Sequence, residues 1–215
     1  MPLRVVLYAE GGGETGGIAE GMPPAPGDLL TDDWLGPGHI LVRRSIAHVR
    51  AIEEATISFQ SPLRTRRGRI ARGSQLHDEL TLRQLLTWVR DPPDLGVVLV
   101  DADGENGRRA MISGWVAGLS LDLAIGVAAQ EFEAWLIADV VAVSRVLGVA
   151  VQQPPDPESM KPREAKKWLS DRIEEVGADS RSVRMQVASE LDLDRLKGVC
   201  RSFEQFLGEL RGERR

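Results

Sequence analysis

Short apolar segments alternate with amphipathic segments over the first 148 residues. The apolar segments are rich in β-branched residues, as buried strands are; they lie at residues 3–8, 56–59, 95–100 and 121–129. The segments between them place apolar residues three or four positions apart, which predicts helices; they lie at residues 38–55, 77–91, 107–119 and 130–148. The alternation predicts an α/β fold, with a mostly parallel sheet and helices on both faces.

A turn-rich break follows this region. Residues 151–159, VQQPPDPES, contain three prolines. Helical patterns follow at 161–177, with Ser159 as the predicted N-cap, and at 193–211. We therefore expect an α/β core over residues 1–150 and a helical C-terminal extension over residues 151–215 that packs on the core.

The composition excludes several classes of protein. No apolar run approaches the ~18 residues of a membrane span, and the N-terminus is typical of a strand rather than of a signal peptide. We therefore expect a cytoplasmic protein with no membrane partner. Cys200 is the only cysteine and lies on a helical apolar stripe, so we expect it to pack in the core.

The charge is unevenly distributed along the chain. A net charge of −5 argues against a general polyanion-binding protein. Residues 64–72, RTRRGRIAR, nevertheless hold five arginines and no acid. This loop is either a solvated surface loop or a grip for the phosphate backbone of a nucleic acid, formed by Arg64, Arg66, Arg67, Arg69 and Arg72.

The first predicted strand ends in a glycine-rich segment, EGGGETGG, at residues 10–17. Its spacing matches the dinucleotide-binding motif G-x-G-x-x-G, but that motif needs a helix whose N-terminus holds the pyrophosphate. Prolines at 23, 24 and 26 leave little room for one. Glu10 and Glu14 would also repel a pyrophosphate, so the segment favours a cation.

Acidic residues follow three of the four predicted strands. The carboxyl ends of parallel strands meet at one edge of a sheet, where ligands bind. Each acid alone also has a structural explanation, as a helix cap or in a solvated first helical turn. Carboxylate oxygens are the ligands that Mg²⁺ prefers, so as a group they predict a metal site; they are Glu10, Asp101, Asp103, Glu131 and Glu133.

Four motifs together resemble the Toprim superfamily. The resemblance is to small prokaryotic Toprim-like proteins grouped as domain of unknown function 4276, which are related to the overcoming-lysogenization-defect nucleases. The long motif with an acid and a tryptophan is the most specific of the four. The motifs are EGGGET (10–15), DADGEN (101–106), QEFEAWLIAD (130–139) and PESMKPREAKKWL (157–169).

The resemblance implies a site for Mg²⁺ or Mn²⁺ with Glu10, Asp101 and Asp103 as principal metal ligands. Glu14 is implied as an outer ligand or as a ligand of a second metal. Glu131 and Glu133 match the helical motif; because they are two positions apart, they face different sides, and we expect only one of them to reach the site.

These six acids are the predicted catalytic residues. The basic residues of the last motif have two interpretations, a cation that stabilises the transition state or a solvated helix face. They are Lys161, Lys166 and Lys167.

The implied function is an Mg²⁺-dependent phosphodiesterase, a nuclease in a phage-defence system under the control of an ATPase. The alternative is a catalytically idle regulatory subunit that holds a metal within an ATPase complex. We expect nucleic acid as the partner, with an ATPase encoded nearby and a homodimer as further candidates.

Overall fold

The computed structural model describes residues 2–17 and 23–212. Within these residues, four parallel strands form one sheet in the order β2-β1-β3-β4. All four strands therefore end at the same edge. The strands are β1 (Leu3–Ala9), β2 (Ile57–Gln60), β3 (Leu95–Asp101) and β4 (Leu123–Ala128).

Helices connect the strands and make up the C-terminal region. The first is a single turn inside the glycine-rich segment, and the last four follow the proline-rich break. The helices are α1 (Gly12–Thr15), α2 (Pro37–Arg50), α3 (Glu79–Leu86), α4 (Arg108–Val116), α5 (Phe132–Ile137), α6 (Val140–Leu147), α7 (Glu164–Glu175), α8 (Ser180–Glu190), α9 (Leu193–Val199) and α10 (Arg201–Arg211).

The sheet buries apolar side chains on both faces. Successive residues of a strand point to opposite sides, so Val5 and Leu7 join one core while Val6 joins the other. The larger core includes side chains from α2 and from α5 to α10, and the smaller core includes side chains from α3 and α4. The predicted α/β fold with a helical C-terminal region is confirmed; the division at residue 150 stays a prediction.

Aromatic packing attaches the last helix to the sheet. Trp135 stacks on Phe206 with ring centroids 5.7 Å apart and meets Phe203 edge to face. A Cβ atom at Gly126 of β4 would lie 2.9 Å from the Phe206 ring and 2.4 Å from Leu99. Glycine at position 126 therefore allows α10 to lie close against β4.

Two predicted helices are each divided in the structure. The helix predicted over 130–148 is broken at Asp139, whose carboxylate accepts hydrogen bonds from the N–H groups of Val141 and Ala142 and starts α6. The helix predicted over 193–211 is broken at Cys200, which is buried as predicted. The apolar stripe continues across both breaks, so periodicity alone does not reveal them.

The predicted cap at Ser159 is wrong. Ser159 lies in a short 3-10 turn and its hydroxyl donates to Asp156 (2.6 Å), while α7 begins only at Glu164. Helix α8 lies within the C-terminal region expected to be helical, but it is not predicted as a separate helix because its sequence is too polar to show a clear apolar stripe. No helix in the described ranges is long and apolar enough to cross a membrane.

Asp139→Ala should destabilise the protein strongly. The Asp139 carboxylate is buried and also binds the Asp192 N–H (2.9 Å) and the Arg195 guanidinium (2.7 Å). Its removal leaves these donors without an acceptor, and we expect a loss of about 3 kcal/mol in the free energy of unfolding, measured by urea denaturation. The matched control is Asp179→Ala, an exposed N-cap that binds only the Ser182 N–H, with an expected loss of about 1 kcal/mol. Equal losses would contradict the assignment.

Candidate metal centre

Glu10 follows β1 directly and links it to β3. Its carboxylate oxygen Oε2 accepts a hydrogen bond from the Asp101 N–H (2.9 Å) and lies 2.9 Å from His77 Nε2. The side chain is largely buried. One oxygen of Glu10 is therefore held by two neighbours, while Oε1 makes no hydrogen bond with the described residues.

His77 is a site residue that sequence reasoning missed. The Arg108 guanidinium donates to His77 Nδ1 (2.5 Å). A guanidinium cannot accept a hydrogen bond, so Nδ1 carries no proton and Nε2–H is the donor to Glu10. Arg108 is itself buried and ion-paired with Glu105 (3.1 Å). The histidines of this chain show no metal-ligand spacing, so no sequence signal marked this contact.

Asp101, the last residue of β3, is the most perturbed acid of the site. Its Oδ1 accepts a hydrogen bond from the Phe132 N–H (2.8 Å) at the start of α5. Burial, together with the charges of the nearby carboxylates of Glu14, Glu10 and Glu133, raises the pKa of Asp101 to about 9. Asp101 therefore holds a proton at neutral pH unless a cation replaces it.

Glu14 lies in α1 and is buried beside the same acids. Its Oε2 accepts the Gly11 N–H (2.6 Å), and a Cβ at position 11 would lie 2.2 Å from its other oxygen, so a side chain there would displace the Glu14 carboxylate. Burial, with a smaller contribution from the charges of Glu133 and Glu10, raises the pKa of Glu14 to about 7. We call Glu10, Glu14, Asp101 and Glu133 the acidic cluster.

The short helix α1 bears on whether the glycine-rich segment could bind a dinucleotide. A single helical turn does begin in this segment, whereas residues 18–22 lie outside the described residues. The Glu14 carboxylate takes the N–H of Gly11, a donor that a bound phosphate would need. This contact disfavours the dinucleotide interpretation.

Glu133 connects the acidic cluster to the C-terminal helices. It is buried in α5 and forms an ion pair with Arg184 of α8. Arg184 also donates to Ser170 of α7 (3.2 Å) and to Ser180 (3.3 Å). The only guanidinium that touches Glu133 in the described chain thus comes from the C-terminal region.

A cleft of about 490 Å³ opens beside the acidic cluster. Its acidic lining residues include exposed Asp103, whose φ of 48° places it in the left-handed region. Glu131 is bound there to the Lys166 N–H (2.7 Å), so its carboxylate caps the start of α7. Burial raises the pKa of Glu131. The lining residues are Asp101, Asp103, Glu131, Arg163, Lys166 and Lys167.

Basic residues of the PESMKPREAKKWL motif line the same cleft. Lys167 is ion-paired with Asp171 (2.6 Å). The side chains of Lys166 and Arg163 make no hydrogen bond or ion pair with the described residues, and Lys161 binds Glu164 only through its backbone N–H. Lys166 and Arg163 are therefore the cations of the cleft that remain available to an anion.

The arginine-rich loop is attached to the same edge of the sheet. Its end is held where the Gly73 N–H donates to the Glu10 carbonyl (2.9 Å), four residues before His77. Arg64 donates to the carbonyls of Pro23 and Pro24, which is a structural role. The side chains of the other four arginines are exposed; they are Arg66, Arg67, Arg69 and Arg72.

The acidic cluster has the oxygen donors that a hard divalent cation prefers, but its side chains do not form a preformed metal site. Within residues 2–17 and 23–212, no three His, Cys, Asp or Glu side chains form a group that could hold a metal ion. Oxygen donors of the type that Mg²⁺ prefers are present, and Glu10 Oε1 and Asp101 Oδ2 form no hydrogen bond with described residues. Metal binding would therefore require side-chain rotation.

The family model of a domain of unknown function, DUF4276, matches residues 39–211. The chain belongs to the DUF4276 family. The predicted DUF4276 membership is thus confirmed, while the Toprim relationship stays a prediction. Glu10 and Glu14 precede the matched range, which contains the other four acids as well as His77 and Arg108. Comparison with curated proteins and with solved structures finds no match.

The raised pKa values predict how the stability of this DUF4276 protein depends on pH. In the unfolded chain these carboxyls ionise near pH 4. From there up to the pKa of about 7 for Glu14 and about 9 for Asp101, the folded chain keeps protons that the unfolded chain has lost. The free energy of unfolding should therefore fall as the pH rises through this window.

Asp101→Asn should weaken this pH dependence. Asparagine stays neutral and keeps an oxygen for the Phe132 N–H, so we expect it to stabilise the metal-free protein by at least about 1 kcal/mol at pH 8 and hardly at all at pH 4. Urea denaturation between pH 4 and 9 in the presence of a chelator measures this. The control is Glu175→Gln at an exposed position of α7. A variant that follows the wild-type pH profile would show that Asp101 is not protonated.

Proposed function

We propose that this protein is a Toprim-like phosphodiesterase, dependent on Mg²⁺ or Mn²⁺, that cuts nucleic acid. The observation that carries the proposal is a cleft lined by charges of both signs. Asp101, Asp103 and Glu131 lie at or just after the carboxyl ends of β3 and β4 and line the cleft together with Lys166 and Arg163. A phosphodiester and a divalent cation together have the complementary charge distribution.

In this proposal the acids hold the metal. Glu10, Asp101 and Asp103 are the principal ligands, and Glu14 serves as an outer ligand or binds a second ion. A bound divalent cation would neutralise charge on the phosphate oxygens and lower the pKa of a water molecule. It would also relieve the repulsion that raises the pKa of Asp101.

The other residues orient these ligands and the substrate. His77, with its tautomer set by Arg108, holds Glu10 Oε2 against the Asp101 N–H and leaves Oε1 for the metal. Lys166 and Arg163 would bind the non-bridging phosphate oxygens through charge-assisted hydrogen bonds. Glu131 positions Lys166 and Arg163, because its carboxylate binds the Lys166 N–H at the start of α7, where both residues lie.

The choice of nucleic acid as substrate has separate support. The arginine-rich loop is followed by Gly73, whose N–H binds the Glu10 carbonyl, so the end of the loop lies at the same edge of the sheet. The nuclease class and the link to ATPase-controlled phage defence rest on the resemblance to the Toprim superfamily. DNA and RNA are both candidate substrates.

A second candidate is a regulatory subunit that holds a metal without catalysis, within an ATPase complex. Both candidates require the acids to rearrange around the ion, since no three-ligand group is formed among the described residues. For the regulatory subunit, a partner would have to supply the chemistry.

The proposal predicts metal-dependent cleavage that depends on the acidic cluster. The purified protein should cut supercoiled DNA, single-stranded DNA or RNA in Mg²⁺ or Mn²⁺ and not in a chelator. Asp101→Asn and Glu10→Gln should each lower the rate at least about 100-fold, because each removes a charged oxygen ligand. Glu175→Gln is the matched control and should keep wild-type activity.

Metal binding is measured separately by thermal denaturation. Mg²⁺ should raise the Tm of the wild type more than that of Asp101→Asn, because a ligand bound only by the folded state stabilises it. Cleavage that survives both substitutions would contradict the site. A metal-dependent Tm without cleavage, even with a neighbouring ATPase added, would support the regulatory subunit instead.

A further inference from the structure

A second cavity, of about 900 Å³, lies between α4 and α10. We call it the α4–α10 groove. Its charged lining residues include four cations and two acids, although the chain as a whole has a net charge of −5. They are Arg109, Lys197, Arg201 and Arg211, and Glu204 and Glu209. Cations therefore outnumber acids among the residues that line the groove.

Two cations of the groove, Lys197 and Arg201, are not used in ion pairs with the described residues. Arg109 bridges the two helices by an ion pair with Glu209 (2.5 Å) and a hydrogen bond to Gln205 (3.1 Å). This pair neutralises Glu209. The side chains of Lys197 and Arg201 make no ion pair or hydrogen bond with the described residues. They are separated by four positions and both line the groove.

The groove has the length of a short stretch of nucleic acid backbone. Helix α10 has 11 residues, so its axis measures about 15 Å. A nucleic acid strand carries one phosphate per ~3.4 Å of duplex axis. Small residues keep the space between the helices open; they are Ala110, Ser113 and Gly208.

The groove also adjoins the cleft of the candidate metal centre. Asp103 lines the cleft and Asn106 lines the groove. These residues are three positions apart, which limits their separation to about 11 Å. A strand lying across the cleft can therefore continue into the groove.

We propose that the α4–α10 groove binds the phosphate backbone of the substrate nucleic acid, with Lys197 and Arg201 as its principal phosphate contacts. The inference rests on the proposed function for the class of ligand. The groove contributes binding and lies outside the reacting centre, because none of its residues belongs to the acidic cluster or lines the cleft. Binding and cleavage should therefore respond differently to changes in the groove.

The test measures binding of fluorescein-labelled single-stranded DNA and RNA oligonucleotides by fluorescence anisotropy, in a chelator so that no cleavage occurs. Lys197→Gln combined with Arg201→Gln should raise the Kd at least about fivefold at low salt. It should also reduce the slope of log K against log salt by about 1.4, which is 0.7 for each phosphate contact on a single strand. The control combines Arg90→Gln with Arg145→Gln, which removes the same charge from exposed positions outside the groove.

The outcomes separate this inference from the proposed function. A Kd and a salt slope equal to those of wild type in the groove variant would overturn the inference, even if the wild type cleaves nucleic acid. Groove-dependent binding by a protein that cleaves nothing would support the inference and contradict the nuclease. No binding to either oligonucleotide in the chelator would overturn the inference, whereas the proposed function is decided separately by the cleavage assay in Mg²⁺ or Mn²⁺. Unfolding curves that match wild type establish that the groove variant is folded.

Discussion

The burial of several carboxylates at one sheet edge is the constraint on which the rest of the site depends. Carboxylates that lose water and face one another are unfavourable unless donors or protons compensate them. Here the donors come from separate elements: the Asp101 N–H for Glu10, the Gly11 N–H for Glu14, the Phe132 N–H for Asp101, and Arg184 for Glu133. The ends of β1 and β3 and the starts of α1 and α5 are thus fixed relative to one another by the same set of charges.

The features that could be predicted from the sequence are those with a pattern visible in a short stretch of residues. The strands and the acids after them were predicted because a buried parallel strand is a continuous apolar run and its carboxyl end is its last residue. The divisions at Asp139 and Cys200 are not predicted, because the apolar stripe continues across both. The acceptors at these breaks are the Asp139 carboxylate for α6 and the Glu158 carboxylate, which binds the N–H groups of Arg201 and Ser202, for α10. Helix α8 lies in the region expected to be helical but is not predicted as a separate element, since it is a largely polar helix held by tertiary contacts such as that of Arg184.

The partners of the acids could not be predicted from the sequence. His77 meets Glu10 across 67 positions, Arg108 meets His77 across 31, and Arg184 meets Glu133 across 51. These contacts depend on strand order and helix packing, which no spacing along the chain encodes. Sequence reasoning located the acids correctly at strand ends, whereas the fold decides which of them become buried and which, such as Asp103, remain exposed.

The ion pair between Glu133 and Arg184 makes the last third of the chain part of the site. If the protein were shortened to its sheet and the helices around it, Glu133 would lose its guanidinium, and Glu131 would lose the Lys166 N–H that its carboxylate binds. Glu131 and Glu133 would then add uncompensated negative charge at a sheet edge where the Asp101 carboxyl already retains its proton at neutral pH. An evolutionary change in the C-terminal helices could therefore alter the chemistry at the sheet edge without touching a single acid.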